Sequence, residues 1–133
     1  MAYWLMKSEP ESYSWAELVA DKTTEWTGVR NPAAALHLKA CAVGDRAFFY
    51  HSGKEKAVVG VMEVTRTARQ DGDEARWVSV EVKAVEPMTK PVTLAAIKAE
   101  PRLAAMEMLR QSRLSVSPVR AEEWAMIVAM GAG

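Results

Sequence analysis

From Trp77 onward the chain alternates. Val78, Val80 and Val82 recur at every second position, with Ser79, Glu81 and Lys83 between them. A period of two means a strand with one face on a core and the other in water. Such strands belong to antiparallel sheets, whose two faces meet different surroundings, and the segments upstream supply the partners. Ala57 to Thr65 is rich in valine, and Gly60 inside it points to a bulge or a close backbone approach. Arg46 to Tyr50 is entered from the turn signal Gly44-Asp45 and left through His51-Ser52-Gly53-Lys54. These consecutive strands read as antiparallel and hairpin-linked. Tyr3 to Lys7 is a further strand, closed by Ser8-Glu9-Pro10. Gln70-Asp71-Gly72-Asp73 is a loop, and Glu86-Pro87 is expected to end the alternating strand.

Helices fill the intervals. Ser14 with Glu17 three residues later is a capping box, and Tyr13 and Leu18 fall at the staple positions. That helix should run from Trp15 to Ala20 with Trp15, Leu18 and Val19 on one face. Asn31 can cap a helix from Pro32 to Lys39, where Ala33-Ala34-Ala35 favours helix and permits close packing. Thr93 can cap Leu94 to Ala99, stopped by Pro101; a following helix spaces Leu103, Met106 and Leu109 on one side. Leu114 to Ser117 reads as extended up to Pro118. A last helix, Ala121 to Met130, turns Trp124, Ile127 and Val128 inward and ends at Gly131. The mixture is α+β, with a strongly curved or closed small sheet as the way to remove exposed edges. At 133 residues the chain reads as one domain, 1–133, able to bury one real core.

Charge and cysteine content narrow the function. Seventeen basic residues balance seventeen acidic ones, which argues against gripping long nucleic acid by bulk positive charge, though not against a local basic patch. Cys41 is the only cysteine, so no intramolecular disulfide is possible. With His37 and His51 it makes no metal-ligand spacing, and neither metal nor cofactor is expected. No apolar run is long enough to span a membrane, and the first residues lack the order of a signal peptide. A cytoplasmic protein is the expectation.

Chemistry concentrates in polar loops. Trp26-Thr27-Gly28-Val29-Arg30-Asn31 puts a flat apolar face, a conformationally free glycine, a planar guanidinium and an amide into six residues. An aromatic plate beside an amide matches a flat ligand with a polar edge. The competing reading makes Trp26 core, Asn31 only a cap and Arg30 solvated. Lys7-Ser8-Glu9, Tyr50-His51-Ser52 and Ser115-Val116-Ser117-Pro118 are the other polar loops, and the first two each follow a strand. An enzyme reading pairs Ser52 or Ser8 with His51, oriented by Glu9. Against it, adjacent strand residues point to opposite faces, and no nucleophile-elbow glycines flank either serine. Trp15, Trp77 and Trp124 fall on apolar positions and read as core. Trp26 is placed outside any regular element.

Several stretches together carry a resemblance. Tyr3-Trp4-Leu5-Met6-Lys7-Ser8-Glu9-Pro10, then Trp26 to Asn31, then Gly44-Asp45 leading to Phe49-Tyr50-His51-Ser52, resemble the EVE domain. Val59-Gly60-Val61, Arg113-Leu114-Ser115-Val116, Pro118-Val119 and Glu123-Trp124 continue the match in the right order. The chain looks like a single-domain member, similar to the thymocyte nuclear protein family. The resemblance implies a PUA-like fold, a compact mixed β-barrel with helices around it. EVE domains are similar to YTH domains, which read methylated adenine in RNA. It implies a non-catalytic module that holds a flipped-out modified base, such as a modified cytosine of DNA or RNA. By that likeness Lys7, Ser8, Glu9, Trp26, Gly28, Val29, Arg30, Asn31, Tyr50, His51, Ser52, Ser115, Ser117 and Pro118 converge on one cavity. Lys7, Arg30, Lys54 and Lys56 are the candidate phosphate rim. The family often continues Arg-Asn with an aromatic or polar residue; here Pro32 to Ala35 follow, small side chains expected to widen the mouth. Two other readings stay open: a hydrolase using Ser52, His51 and Glu9, and a small-metabolite sensor using the same pocket.

Overall fold

The computed structural model describes residues 1–133. In chain order its elements are β1 (Tyr3–Ser8), α1 (Trp15–Asp21), β2 (Thr23–Trp26), α2 (Pro32–Ala40), β3 (Arg46–His51), β4 (Ala57–Gln70) and β5 (Val78–Thr93). Then follow α3 (Leu94–Ala99), a 3-10 turn (Pro101–Leu103), α4 (Glu107–Arg110), β6 (Val116–Val119) and α5 (Ala121–Met130). All six strands join one sheet in the order β2-β5-β4-β3-β1-β6. Its pairs are antiparallel except β1 with β3, which run parallel across the crossover through α1, β2 and α2. The sheet does not close. β2 and β6 are its edges, so an open six-stranded sheet stands where a strongly curved β-barrel was expected.

Both faces of the sheet are covered. Trp4, Met6, Ala47, Phe49, Val78, Val80 and Val82 meet Leu18 of α1 and Ala34 and Leu38 of α2 on one side. Leu5, Phe48, Tyr50 and Val92 meet Ile97, Leu103, Met106, Met108 and Ile127 on the other. This is why β1 and β3 read as unbroken apolar runs while β5 alternates. Trp124 stacks between Tyr3 and Phe48, at centroid distances of 4.6 and 3.8 Å. The expected caps are present. Ser14 and Glu17 close the capping box, Asn31 Oδ1 accepts from the Ala34 amide at 3.0 Å, and Thr93 Oγ1 accepts from Ala96. No helix is long and apolar enough to cross a membrane.

The departures have physical reasons. β5 runs through Pro87 and Pro91 instead of ending at Glu86-Pro87. Its β2 neighbour covers only Val80 to Lys83, so beyond that point one side of β5 is an edge, where a residue without N–H is tolerated. The same holds for Pro118, inside β6 at the opposite edge. β2 has no counterpart among the expected strands, and Trp26 is its last residue rather than part of a loop. The helix expected over Leu103 to Leu109 is a 3-10 turn and a four-residue helix, although Leu103 and Met106 are buried as foreseen. Val19 and Val128, expected inward, are 50% and 40% exposed. Ala34 and Ala35 are buried under the sheet, so they serve close packing and do not widen the mouth.

Gly60 lies where β4 shifts register against β5, directly beneath the Trp15 ring. A Cβ there would stand 2.6 Å from three ring atoms, so the packed indole would have to move. Gly60→Ala should therefore destabilise by about 1–3 kcal/mol, the usual cost of overpacking. In a double-mutant cycle Trp15→Leu should relieve part of that loss. Urea unfolding of the four proteins checks this, and additive effects would place the clash elsewhere.

Candidate functional site

A cavity of about 440 Å³ opens where β1 ends beside β2 and the turn into α2. It is within the size range of small-ligand sites. Lys7, Ser8, Trp26, Gly28, Val29, Arg30, Asn31 and Ser115 line it, joined by Ser12, Tyr13, Thr24, Glu25 and Thr27. Eight of the expected site residues thus meet despite their separation in sequence.

Each wall has a structural cause. Trp26 ends β2 opposite Val80, and Phe49 meets its ring edge-on at 5.3 Å. It is 7% exposed and belongs to the core cluster, so the core reading and the cavity-wall reading both hold for this residue. Gly28 has φ +81°, with nothing within 4 Å of where a Cβ would lie. It is needed for its left-handed backbone, not for close approach. Asn31 spends Oδ1 on the cap of α2 and lines the cavity, with Nδ2 making no intramolecular hydrogen bond. Ser8 donates to the Tyr13 carbonyl at 2.7 Å, which ties the loop after β1 to the start of α1. Lys7 donates to the Ser112 carbonyl at 2.9 Å, and burial lowers its pKa.

The turn itself is held from outside. Asp71 accepts from the Gly28 amide at 2.9 Å and from the Arg30 guanidinium at 3.1 Å. The Gly28 hydrogen bond above all, helped by Arg30, keeps its carboxyl pKa low. Arg30 also lies over the Trp77 ring, which Arg76 covers at 4.5 Å. Arg30 is therefore engaged by Asp71 and Trp77, with its side chain still 46% exposed. Asp71 was legible only as a loop residue; its distance from Gly28 in sequence hides the contact. Trp77 is buried as expected, but under guanidinium groups instead of in either core cluster. Thr24 and Glu25 were missed with their strand; the β-branched pair Thr23-Thr24 before Trp26 was the available signal.

Six expected site residues lie elsewhere. Glu9 is exposed and contributes its carbonyl to the turn that Ser12 and Tyr13 close. Tyr50 and Ser52 line a separate cavity of about 410 Å³ on the opposite face. Ser52 sits there because Tyr50 alternates away from Phe49. Ser117 pairs with Leu5 and shares that residue's face, away from the first cavity; its hydroxyl is buried without a partner. Pro118 pairs with Trp4 inside β6. His51 is buried and accepts the Trp15 amide at Nε2, 3.0 Å, so its proton is on Nδ1, facing Glu55 at 2.8 Å. Both ring nitrogens are occupied, neither by a serine, and Glu55 stands where Glu9 was expected. The arrangement Ser52–His51–Glu9 is not assembled. Of the candidate rim, Lys7 and Arg30 border the first cavity, while Lys54 and Lys56 do not. Cys41 is buried, and desolvation followed by the nearby Asp45 charge pushes its thiol up to about 12, so it is an inert packing residue.

A model of the EVE domain matches residues 2–130. The chain belongs to the EVE domain family. Human thymocyte nuclear protein 1 is 32% identical to it, over 97% of this chain and 73% of that protein. An NMR structure from Rhodopseudomonas palustris superposes at a TM-score of 0.93 with 52% identity, covering 98% of this chain and 93% of its own. The crystal structure of human THYN1 protein in complex with DNA containing 5-methylcytosine superposes at 0.94 with 31% identity, covering 100% and 99%. In this EVE domain the cavity lies between the end of β1, β2 and the capped start of α2, although β5, β4 and β3 stand between β2 and β1 in the sheet order.

Proposed function

We propose that this EVE domain is a non-catalytic module that binds a modified nucleobase, 5-methylcytosine being the first candidate, on a nucleic-acid strand. The observation that carries the reading is the cavity bounded by Trp26, Val29 and Asn31. The complex of the human relative with methylcytosine DNA supports the choice of ligand. A base taken out of its stack needs an aromatic surface and polar groups matched to its edge. Trp26 and Val29 offer apolar surface for the ring and its methyl group. The free Nδ2 of Asn31 offers donors to the acceptors on a cytosine edge. Lys7, Ser8, Gly28, Arg30 and Ser115 complete the wall. Asp71 acts as a positioning residue, because it fixes the turn that carries Gly28 to Asn31. We also read the sheet as wrapped in the PUA-like manner; the register shifts between β4 and β5 support this, since bulges bend and coil strands.

Asn31→Asp tests the reading. Aspartate caps a helix as well as asparagine does, so α2 should keep its stability. The variant replaces the free donors with a charged acceptor. Affinity for a 5-methylcytosine oligonucleotide, of DNA or RNA, should fall by about tenfold or more, as one lost polar match costs about 1–3 kcal/mol. Melting should be unchanged. Equal binding of methylated and unmethylated strands by the parent would overturn the base-reading role. Free nucleoside binding as tightly as the strand would make the domain a metabolite sensor instead.

A further inference from the structure

The second cavity differs in chemistry from the first. Lys7, Lys56 and Lys98 line it together with the hydroxyls of Tyr50 and Ser52, and no carboxylate does. In a chain of zero net charge this is a local excess of positive charge. None of the three pairs with a carboxylate: the only lysine–carboxylate bridge in the molecule joins Lys83 to Glu63, while Lys7 donates to the Ser112 carbonyl and lies over the Tyr50 ring. Glu55, adjacent in sequence to Lys56, is turned to His51. Lys56 moreover holds the left-handed backbone at φ 51°, uncommon for a side chain with Cβ, while its carbonyl is fixed by the Leu94 amide at 2.8 Å. Burial raises the Tyr50 pKa, so that hydroxyl remains a donor. The lining is therefore rich in donors and unopposed in charge. It fits a ligand that is anionic and only accepts hydrogen bonds.

Lys7 lines both cavities, so they abut along β1. We infer that the Lys56–Lys98 cavity is a phosphodiester-binding site, which holds the backbone of the strand flanking the base held beside Trp26. This rests on the base-reading role proposed above. The two sites divide the work: the first discriminates among bases, and the second adds affinity without regard to sequence.

The double variant Lys56→Gln/Lys98→Gln tests it, measured with single-stranded oligonucleotides across a series of salt concentrations. Both side chains are exposed, so the fold should be kept. Removing two phosphate contacts should flatten the slope of log K against log salt by about 1.4 and weaken binding by at least about tenfold at low salt. The ratio of affinities for methylated and unmethylated strands should not change. A control, Lys39→Gln/Lys90→Gln, removes the same charge at exposed positions that do not line the cavity and should leave the slope intact. An unchanged slope in the first variant, with the parent still discriminating methylated strands, would overturn this inference alone. So would an equal flattening in the control, which would mean bulk charge. A parent that binds strands without discrimination, but loses slope in the first variant, would overturn base reading and keep the phosphate site.

Discussion

Trp26→Ala should lose both stability and binding, and the two losses can be separated. The ring is almost fully buried and edge-on to Phe49, so its truncation should cost about 3–5 kcal/mol, as for other buried aromatics. The same ring bounds the base cavity. If a base stacks on it, Ala should also remove about 1–3 kcal/mol of binding, a loss of roughly 5- to 150-fold. Trp26→Phe keeps an aromatic ring against Phe49 with less area toward the cavity. It should melt much closer to the parent and retain part of the affinity. Binding must be measured well below each variant's melting temperature, with thermal unfolding followed on the same samples. An Ala variant that folds at the assay temperature and binds as well as the parent would take Trp26 out of the site.

Asp45→Ala should be about as damaging without touching the cavity. Asp45 is buried, and its carboxylate accepts the Ala42 amide at 2.9 Å, the Trp4 indole N–H at 3.0 Å and the Ala2 amide at 3.1 Å. One side chain thereby ties the N-terminus, β1 and the turn into β3. Truncation leaves three donors unpaired at about 1–3 kcal/mol for each that water cannot reach, so roughly 3–4 kcal/mol is expected. The pH dependence follows from the same contacts. Burial alone would raise the Asp45 pKa, but the hydrogen bonds and the N-terminal charge outweigh it and the net shift is downward. A carboxyl with a folded pKa below its unfolded value stabilises fully above the unfolded value, about 3.9, and loses that contribution as pH falls through the folded one. Asp71 is shifted in the same direction. The parent should therefore lose melting temperature below about pH 4. Asp45→Asn should start lower at neutral pH and show a shallower acid decline. Parallel acid limbs for parent and variant would count against Asp45 as the group responsible.

Local signals carried much of this fold. The valine alternation of β5, the Ser14–Glu17 box and the Asn31-Pro32 start of α2 act over a few residues, and each can be read without knowing the rest of the chain. Features that depend on sheet position were hidden. Pro87, Pro91 and Pro118 look like breaks until it is known which strand edges are free. β2 is too short to show a period. The site divided along the same line. Ser8, Trp26 and Asn31 were found because each sits in a polar stretch with turn or cap chemistry, which can be read locally. Tyr50 and Ser52 were assigned to the wrong cavity because sequence does not say which face of β3 each residue takes. Asp71 was invisible as a site residue, since its role comes from a contact between distant loops.

The placement of β1 sets the timetable on which this molecule can assemble. β1 has β3 on one side and β6 on the other. Within this domain the first strand to be made is thus completed by the last. While the middle of the chain is being made, β1 can hold β3 only through a parallel pairing that spans about forty residues of intervening chain, a slow closure by topology. Its other edge stays bare, next to Leu5 and Met6, until Val116 to Val119 have been synthesised. Such an unpaired apolar edge is a template for pairing with another chain. The late arrival of β6, shielded on its outer side by a proline, is what retires that hazard.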